Sequence, residues 1–109
     1  MRLLSAGLGI AVLSAGLPAR AADQFIDLSE CKDITVDYLH QLAEYALSVR
    51  RYNVEENTPT LLVGEQDKRK VEILLEPGKV HIRWKEGFGY KNDQWLRNLK
   101  TSMLWRLAE

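Results

Sequence analysis

Apolar side chains recur at three- and four-residue spacing through Val36, Leu39, Leu42, Ala43, Ala46, Leu47 and Val49, which places them on one face of a helix. The helix has marked ends. Asp33 or Thr35 serves as its N-cap, Asp37 falls in the first turn, and Arg50 and Arg51 stand at the far end, charges that complement the helix dipole. After Arg51 the period changes to two. Tyr52 and Val54 alternate with Asn53 and Glu55, Asn57-Thr58-Pro59 reads as a turn, and Leu61 and Val63 carry a second short strand that Gly64 weakens or bulges. Asp67-Lys68-Arg69 is a polar connection. Val71, Ile73 and Leu75 then alternate with Lys70, Glu72, Leu74 and Glu76, and Pro77-Gly78 turns the chain. On the return, Val80, Ile82 and Trp84 alternate with Lys79, His81, Arg83 and Lys85, completing the clearest hairpin of the sequence.

An antiparallel sheet with one charged face must bury the other against a second layer, and two helices supply it. The second helix begins near Asn92 or Asp93 and gathers Trp95, Leu96, Leu99, Met103 and Leu107 within about 120° of arc. Trp105 falls about 80° to the other side of Trp95. It is either buried between the helices or presented to a partner. The expected fold is therefore α+β: a four-stranded antiparallel meander with an N-terminal and a C-terminal helix on one face, in the order α-β-β-β-β-α.

Ahead of this domain, assigned to residues 34–109, lie two different segments. Arg2, the apolar run Leu3 to Leu17, Pro18 and the small-x-small triplet Ala19-Arg20-Ala21 form the pattern of a secretory signal peptide over residues 1–21, cleaved before Ala22. The run is shorter than the roughly 20 residues of a spanning helix, so no membrane span is expected after cleavage. Residues 22–33 read as an acidic arm, with Phe25, Ile26 and Leu28 able to pack as a short strand.

Composition narrows the function. The chain has 109 residues, of which 46% are hydrophobic and 28% charged, as in an ordinary globular domain. Its 15 basic and 15 acidic residues balance, and loss of Arg2 and Arg20 with the leader tips the remainder acidic, which argues against a nucleic-acid partner. Charge is nevertheless uneven along the chain: 10 acids and 3 bases lie between Ala22 and Asp67, and 5 acids and 10 bases follow. Lys79, Arg83 and Lys85, with Lys70, project from the wet sheet face, where they can meet an anionic ligand or envelope component, although Glu72 and Glu76 dilute the patch.

Catalytic constellations are sparse. Cys31 is the single cysteine and His40 and His81 the two histidines, too few and too scattered for a metal site, and no cofactor motif is present. His81 stands between Lys79 and Arg83, which disfavour a metal there. Cys31 offers an intermolecular disulfide or a reactive thiol, and His40 with Glu44 one turn later offers a base. No nucleophile, base and orienting group can be assembled from these, so no catalytic residue is assigned. Gly87-Phe88-Gly89-Tyr90 lacks the spacing of a phosphate loop. With Trp84 and Trp95, its Phe88 and Tyr90 either seal the core edge or form a platform for a sugar ring or a partner's apolar side chain.

The run Ala46-Leu47-Ser48-Val49-Arg50-Arg51-Tyr52, followed by a strand, and Tyr90 with Trp95-Leu96-Arg97-Asn98-Leu99 carry a resemblance. They resemble a group of small exported proteins of Gram-negative bacteria with an A-L-x-x-R-x-aromatic helix end and a closing Y-N-x-W-x-x-N-L helix. Here Tyr90 stands five residues before Trp95, where the group has three. The resemblance implies export and this fold, and supplies no catalytic residue.

The leading expectation is a small periplasmic binding module, non-catalytic, whose candidate binding residues are Phe88, Tyr90, Trp105, Lys79, Arg83 and Lys85. Its partner would be an envelope protein or an anionic or sugar ligand, and Cys31 could link two copies. The alternative is a small envelope enzyme, or an enzyme inhibitor, using Cys31 and His40 or the 87–90 loop. The expectation of export is checked by mass spectrometry of the protein from its native cells: the N-terminus should be Ala22 or its neighbour Asp23, and an intact Met1 in the cytoplasm would refute it.

Overall fold

In the computed structural model, which describes residues 22–86 and 93–108, two helices lie on one side of a five-stranded antiparallel sheet. The elements are β1 (Gln24–Asp27), α1 (Val36–Val49), β2 (Asn53–Thr58), β3 (Leu61–Gln66), β4 (Arg69–Glu76), β5 (Lys79–Glu86) and α2 (Asp93–Ala108). The order across the sheet is β1-β5-β4-β3-β2. The α+β class and the meander of β2 to β5 agree with the sequence pattern, but the sheet has five strands where the pattern predicts four. The acidic arm supplies the fifth, with Gln24, Phe25, Ile26 and Asp27 opposite Ile82, His81, Val80 and Lys79. Leu28 N–H extends this pairing to the Gly78 carbonyl at 2.6 Å.

Helix α1 forms as expected. Thr35 is the N-cap, its Oγ1 accepting from the Tyr38 N–H at 3.0 Å, and the buried residues Leu39, Leu42, Ala43, Ala46 and Leu47 face the sheet. Arg50 closes the helix with its N–H on the Ala46 carbonyl. Arg51 takes a φ of 65°, a left-handed residue that swings the chain into β2. In α2, Leu96, Leu99 and Met103 are fully buried, while Trp95 and Leu107 pack against the core only partly buried.

Cross-strand rows build the inner face of the sheet. Leu62, Ile73 and Ile82 form one row, Gly64, Val71 and Trp84 a second, and Leu75, Val80 and Ile26 a third. Each fully buried aliphatic side chain contributes about 1.5–3 kcal/mol. This phase differs from expectation in β2 and β3. Tyr52 is buried just before β2 begins, but Val54 is 44% exposed because every residue of β2, an edge strand, is exposed. In β3 it is Leu62 and Gly64 that face the helices. Val63 points to the opposite side, yet is 1% exposed.

The turns explain the registers. Asp67 and Lys68, with φ of 52° and 64°, are the two central residues of a tight hairpin between Gln66 and Arg69, the backbone sign required by a type I′ turn. At Pro77-Gly78 only the glycine has positive φ, 76°. A Cβ there would also lie 2.8 Å from Ser29 Cα, so the turn and the adjoining arm both need glycine. Glu55 is left unpaired between Val54 and Glu56, a bulge in the exposed edge.

At Gly64 the sheet packs tightly against Leu47 of α1 and against Tyr52. A Cβ at this position would stand 2.9 Å from Leu47 Cδ2 and 3.0 Å from Tyr52 Cβ. Gly64→Ala is therefore expected to destabilise the fold by about 1–3 kcal/mol, as overpacking does. Urea unfolding measures it, and an unchanged midpoint would show that helix and strand can separate without cost.

Candidate functional site

The surface offers two regions where recognition chemistry is concentrated: the outer flank of α2 and a cleft at one end of the helix layer. On the flank, Trp105 is 66% exposed and Leu104 38% exposed. The helix turns its buried side through Leu96, Leu99, Ser102 and Met103, and Trp105 projects from the opposite side, seven residues after Asn98. It is not inserted between the helices. The contact between α1 and α2 is completed by smaller groups: Arg50 Nε donates to the buried Ser102 Oγ at 2.9 Å, and the Arg106 guanidinium lies 5.2 Å from the Tyr45 ring.

The cleft, of about 260 Å³, is lined by Arg50, Tyr52, Gln66, Trp95 and Asn98. Four separate elements deliver these side chains. Arg50 is the cap of α1, Tyr52 precedes β2, Gln66 ends β3, and Trp95 and Asn98 lie in the first turns of α2. Tyr52 and Trp95 meet edge to face with centroids 6.3 Å apart, and Trp84 backs Trp95 at 6.0 Å. At the rim, Arg69 spreads over the Trp95 ring at 4.9 Å, a cation–π contact. Gln66 Nε2 donates to the carbonyls of Arg50 and Arg51 at 2.9 and 3.2 Å. Burial pushes the Tyr52 hydroxyl up to about 12, against the opposing pull of Arg50 and Arg69.

The outer sheet face is more neutral than its cations suggest. Arg83 Nε donates to Glu72 Oε1 at 2.6 Å, Lys70 Nζ lies 2.9 Å from Glu55 Oε1, and Lys85 Nζ lies 3.5 Å from Glu56 Oε1. The hydrogen bond to Glu55 raises the Lys70 pKa. Lys79 is exposed and stands in register between Glu76 and Asp27. Asp27 is held below its ordinary value chiefly by accepting from the Ser29 hydroxyl and N–H, with Lys79 adding a smaller effect. Phe88 and Tyr90 lie outside the described residues.

His40 pairs with Glu44 one turn later, as their spacing suggests, and each histidine also takes a partner from a segment remote in sequence. His40 Nε2 donates to Asn57 Oδ1 at 2.6 Å, Asn57 Nδ2 donates to Glu44 Oε2 at 2.9 Å, and Glu44 Oε1 lies 3.7 Å from His40 Nδ1. This closed triangle ties α1 to the edge strand β2. His81, flanked by Lys79 and Arg83 in sequence, donates through Nε2 to Asp23 Oδ2 at 2.7 Å and stacks on Phe25 at 4.4 Å. Both partners come from the arm, which sequence spacing cannot bring to β5. Cys31 is exposed in the segment between β1 and α1. Among the described residues, no three His, Cys, Asp or Glu side chains group as metal ligands, and no helix is long and apolar enough to cross a membrane.

No protein-family model, curated protein or solved structure matches this chain. The functional reading therefore rests on the site itself.

The cleft went unread in the sequence because Arg50, Arg69 and Trp95 converge only through tertiary packing. One consequence is measurable. An unfolded tyrosine ionises near 10.0, whereas Tyr52 holds its proton to about 12 in the fold. Its contribution is complete below pH 10 and disappears as pH rises through 12, a loss of at most about 2.8 kcal/mol at about 1.4 kcal/mol per pH unit. Chemical denaturation between pH 9 and pH 12 should show a shallower decline for Tyr52→Phe than for the parent. Parallel profiles would mean that the hydroxyl is not shielded.

Proposed function

We propose that this protein is a small non-catalytic binding module of the periplasm, exported by its N-terminal segment and trimmed before Ala22. Its recognition surface is the α2 flank that carries Trp105, and its partner is an envelope protein. The observation that carries this reading is the exposure of Trp105. An indole left in water forgoes on the order of 2–3 kcal/mol of burial, and tryptophan is the residue type most enriched at the energetic centres of interfaces. Trp84, by contrast, is buried in the core and Trp95 packs against it. Leu104 on the same helix is also exposed, and widens the apolar surface.

Other candidates fit less well. Of the cations Lys79, Arg83 and Lys85, two are held in ion pairs and the third stands beside two carboxylates, which favours a neutral outer face over an anion-binding one. Phe88 and Tyr90, in the segment leading into α2, are assigned to the same recognition function as Trp105 on their residue type. The thiol-dependent alternative is less favoured, since both ring nitrogens of His40 are engaged by Asn57 and Glu44.

The test uses crosslinking and capture from periplasm. Trp105→Ala should leave the melting transition within about 0.5 kcal/mol of the parent and weaken capture of the partner by about 2 kcal/mol, roughly 30-fold. That loss should persist at high ionic strength, because an apolar contact is not screened. Unchanged capture by a folded Trp105→Ala variant would overturn the assignment.

A further inference from the structure

The treatment of arginine differs between the two sides of the sheet. On the outer side, Arg83, Lys70 and Lys85 each have a carboxylate partner. At the cleft, Arg50 and Arg69 have none among the described residues. Arg50 commits its Nε to Ser102, which leaves its terminal nitrogens unpaired among the described residues, and Arg69 has Trp95 as its partner through the ring face alone. A guanidinium carries five N–H donors in a planar fork, so two of them at one cleft bring many donors, with no carboxylate paired to them among the described residues.

The remaining lining chemistry points the same way. None of the five lining residues is acidic. The Tyr52 hydroxyl stays protonated and available as a donor across the neutral range. Gln66 occupies the carbonyls of Arg50 and Arg51, muting the negative groups nearest the site. Gln66 and Arg69 are directly paired across the tight turn, so the β-hairpin fixes the spacing of the rim, while the cap of α1 fixes Arg50. The cleft, at about 260 Å³, has room for a small charged group and part of the molecule that carries it.

We propose that this cleft is a binding site for an oxyanion, a carboxylate or phosphate group on a small ligand, held by Arg50 and Arg69 against the Tyr52 and Trp95 walls. Guanidinium groups recognise both oxyanions through paired N–H donors. The proposal rests on the reading of the protein as a binding module, but uses a surface different from the Trp105 flank.

The test is an NMR titration of the full chain, expressed with its own N-terminal segment, following the Trp95 indole N–H at low ionic strength. The probes are inorganic phosphate, glucuronate as a carboxylate on a sugar, and glucose as the neutral control. At least one anion should shift the signal saturably, and glucose should not. Preference between phosphate and glucuronate identifies which oxyanion the site takes. Arg69→Gln should weaken binding at least about ten-fold while leaving the melting temperature near that of the parent, Arg69→Lys should recover only part of it, and added chloride should compete. Trp105→Ala should leave the titration unchanged, so that a failure here is distinct from a failure of partner capture. Lack of saturation by both anions, an equal response to glucose, or full binding by Arg69→Gln would each overturn the proposal.

Discussion

Two helices cover one face of a five-stranded sheet, and everything else in the molecule accommodates that imbalance. The rows through Leu62, Ile73 and Ile82 and through Val71 and Trp84 bury their side chains under Leu39, Leu47, Leu96, Leu99 and Met103. The layer is thin, so contact must be close. Gly64 and the small residues Ala43 and Ala46 let α1 approach the backbone of β3, and a larger residue at position 64 would lift the helix from the sheet.

Among the described residues the opposite face has no second layer, and charge does part of the work that helices do elsewhere. Val63 is 1% exposed although it points away from the helices. Its neighbours in register are Glu56 and Glu72, which are paired with Lys85 and Arg83, so the aliphatic stems of these side chains lie over the valine while their ends meet in pairs. Part of the uneven charge of the sequence is thus met within the sheet: acids from the first half of the chain, Glu55 and Glu56, pair with bases from the second, Lys70 and Lys85.

Helix α1 and the β4–β5 hairpin were legible in the sequence because each has a long period, a cap or a turn to fix its phase. The three consecutive apolar residues Leu61, Leu62 and Val63 fix no phase, and a shift of one residue exchanges the two faces of a strand. Tertiary contact with Leu47 and Tyr52 decides it, by requiring glycine at position 64. The arm was ambiguous for a related reason. Four residues with Phe25 exposed make no clear alternation, and its partners, Val80 to Ile82, are remote in sequence. For the site, the helical phase of Trp105 was readable, but its exposure depended on how closely α1 and α2 meet through Ser102. The cleft depended on four elements at once.

Strand β1 has one further effect, on the order in which the molecule can assemble. Meander strands β2 to β5 pair with neighbours in sequence, whereas the β1 side of the sheet waits for a partner at the other end of the domain: Asp23 and His81 are 58 residues apart. Long-range closure of this kind is slow relative to local hairpins. Until it occurs, β5, with its eight residues, is an open edge. The backbone bonds between β1 and β5 therefore form only once nearly the whole domain is present, and the arm closes the sheet last.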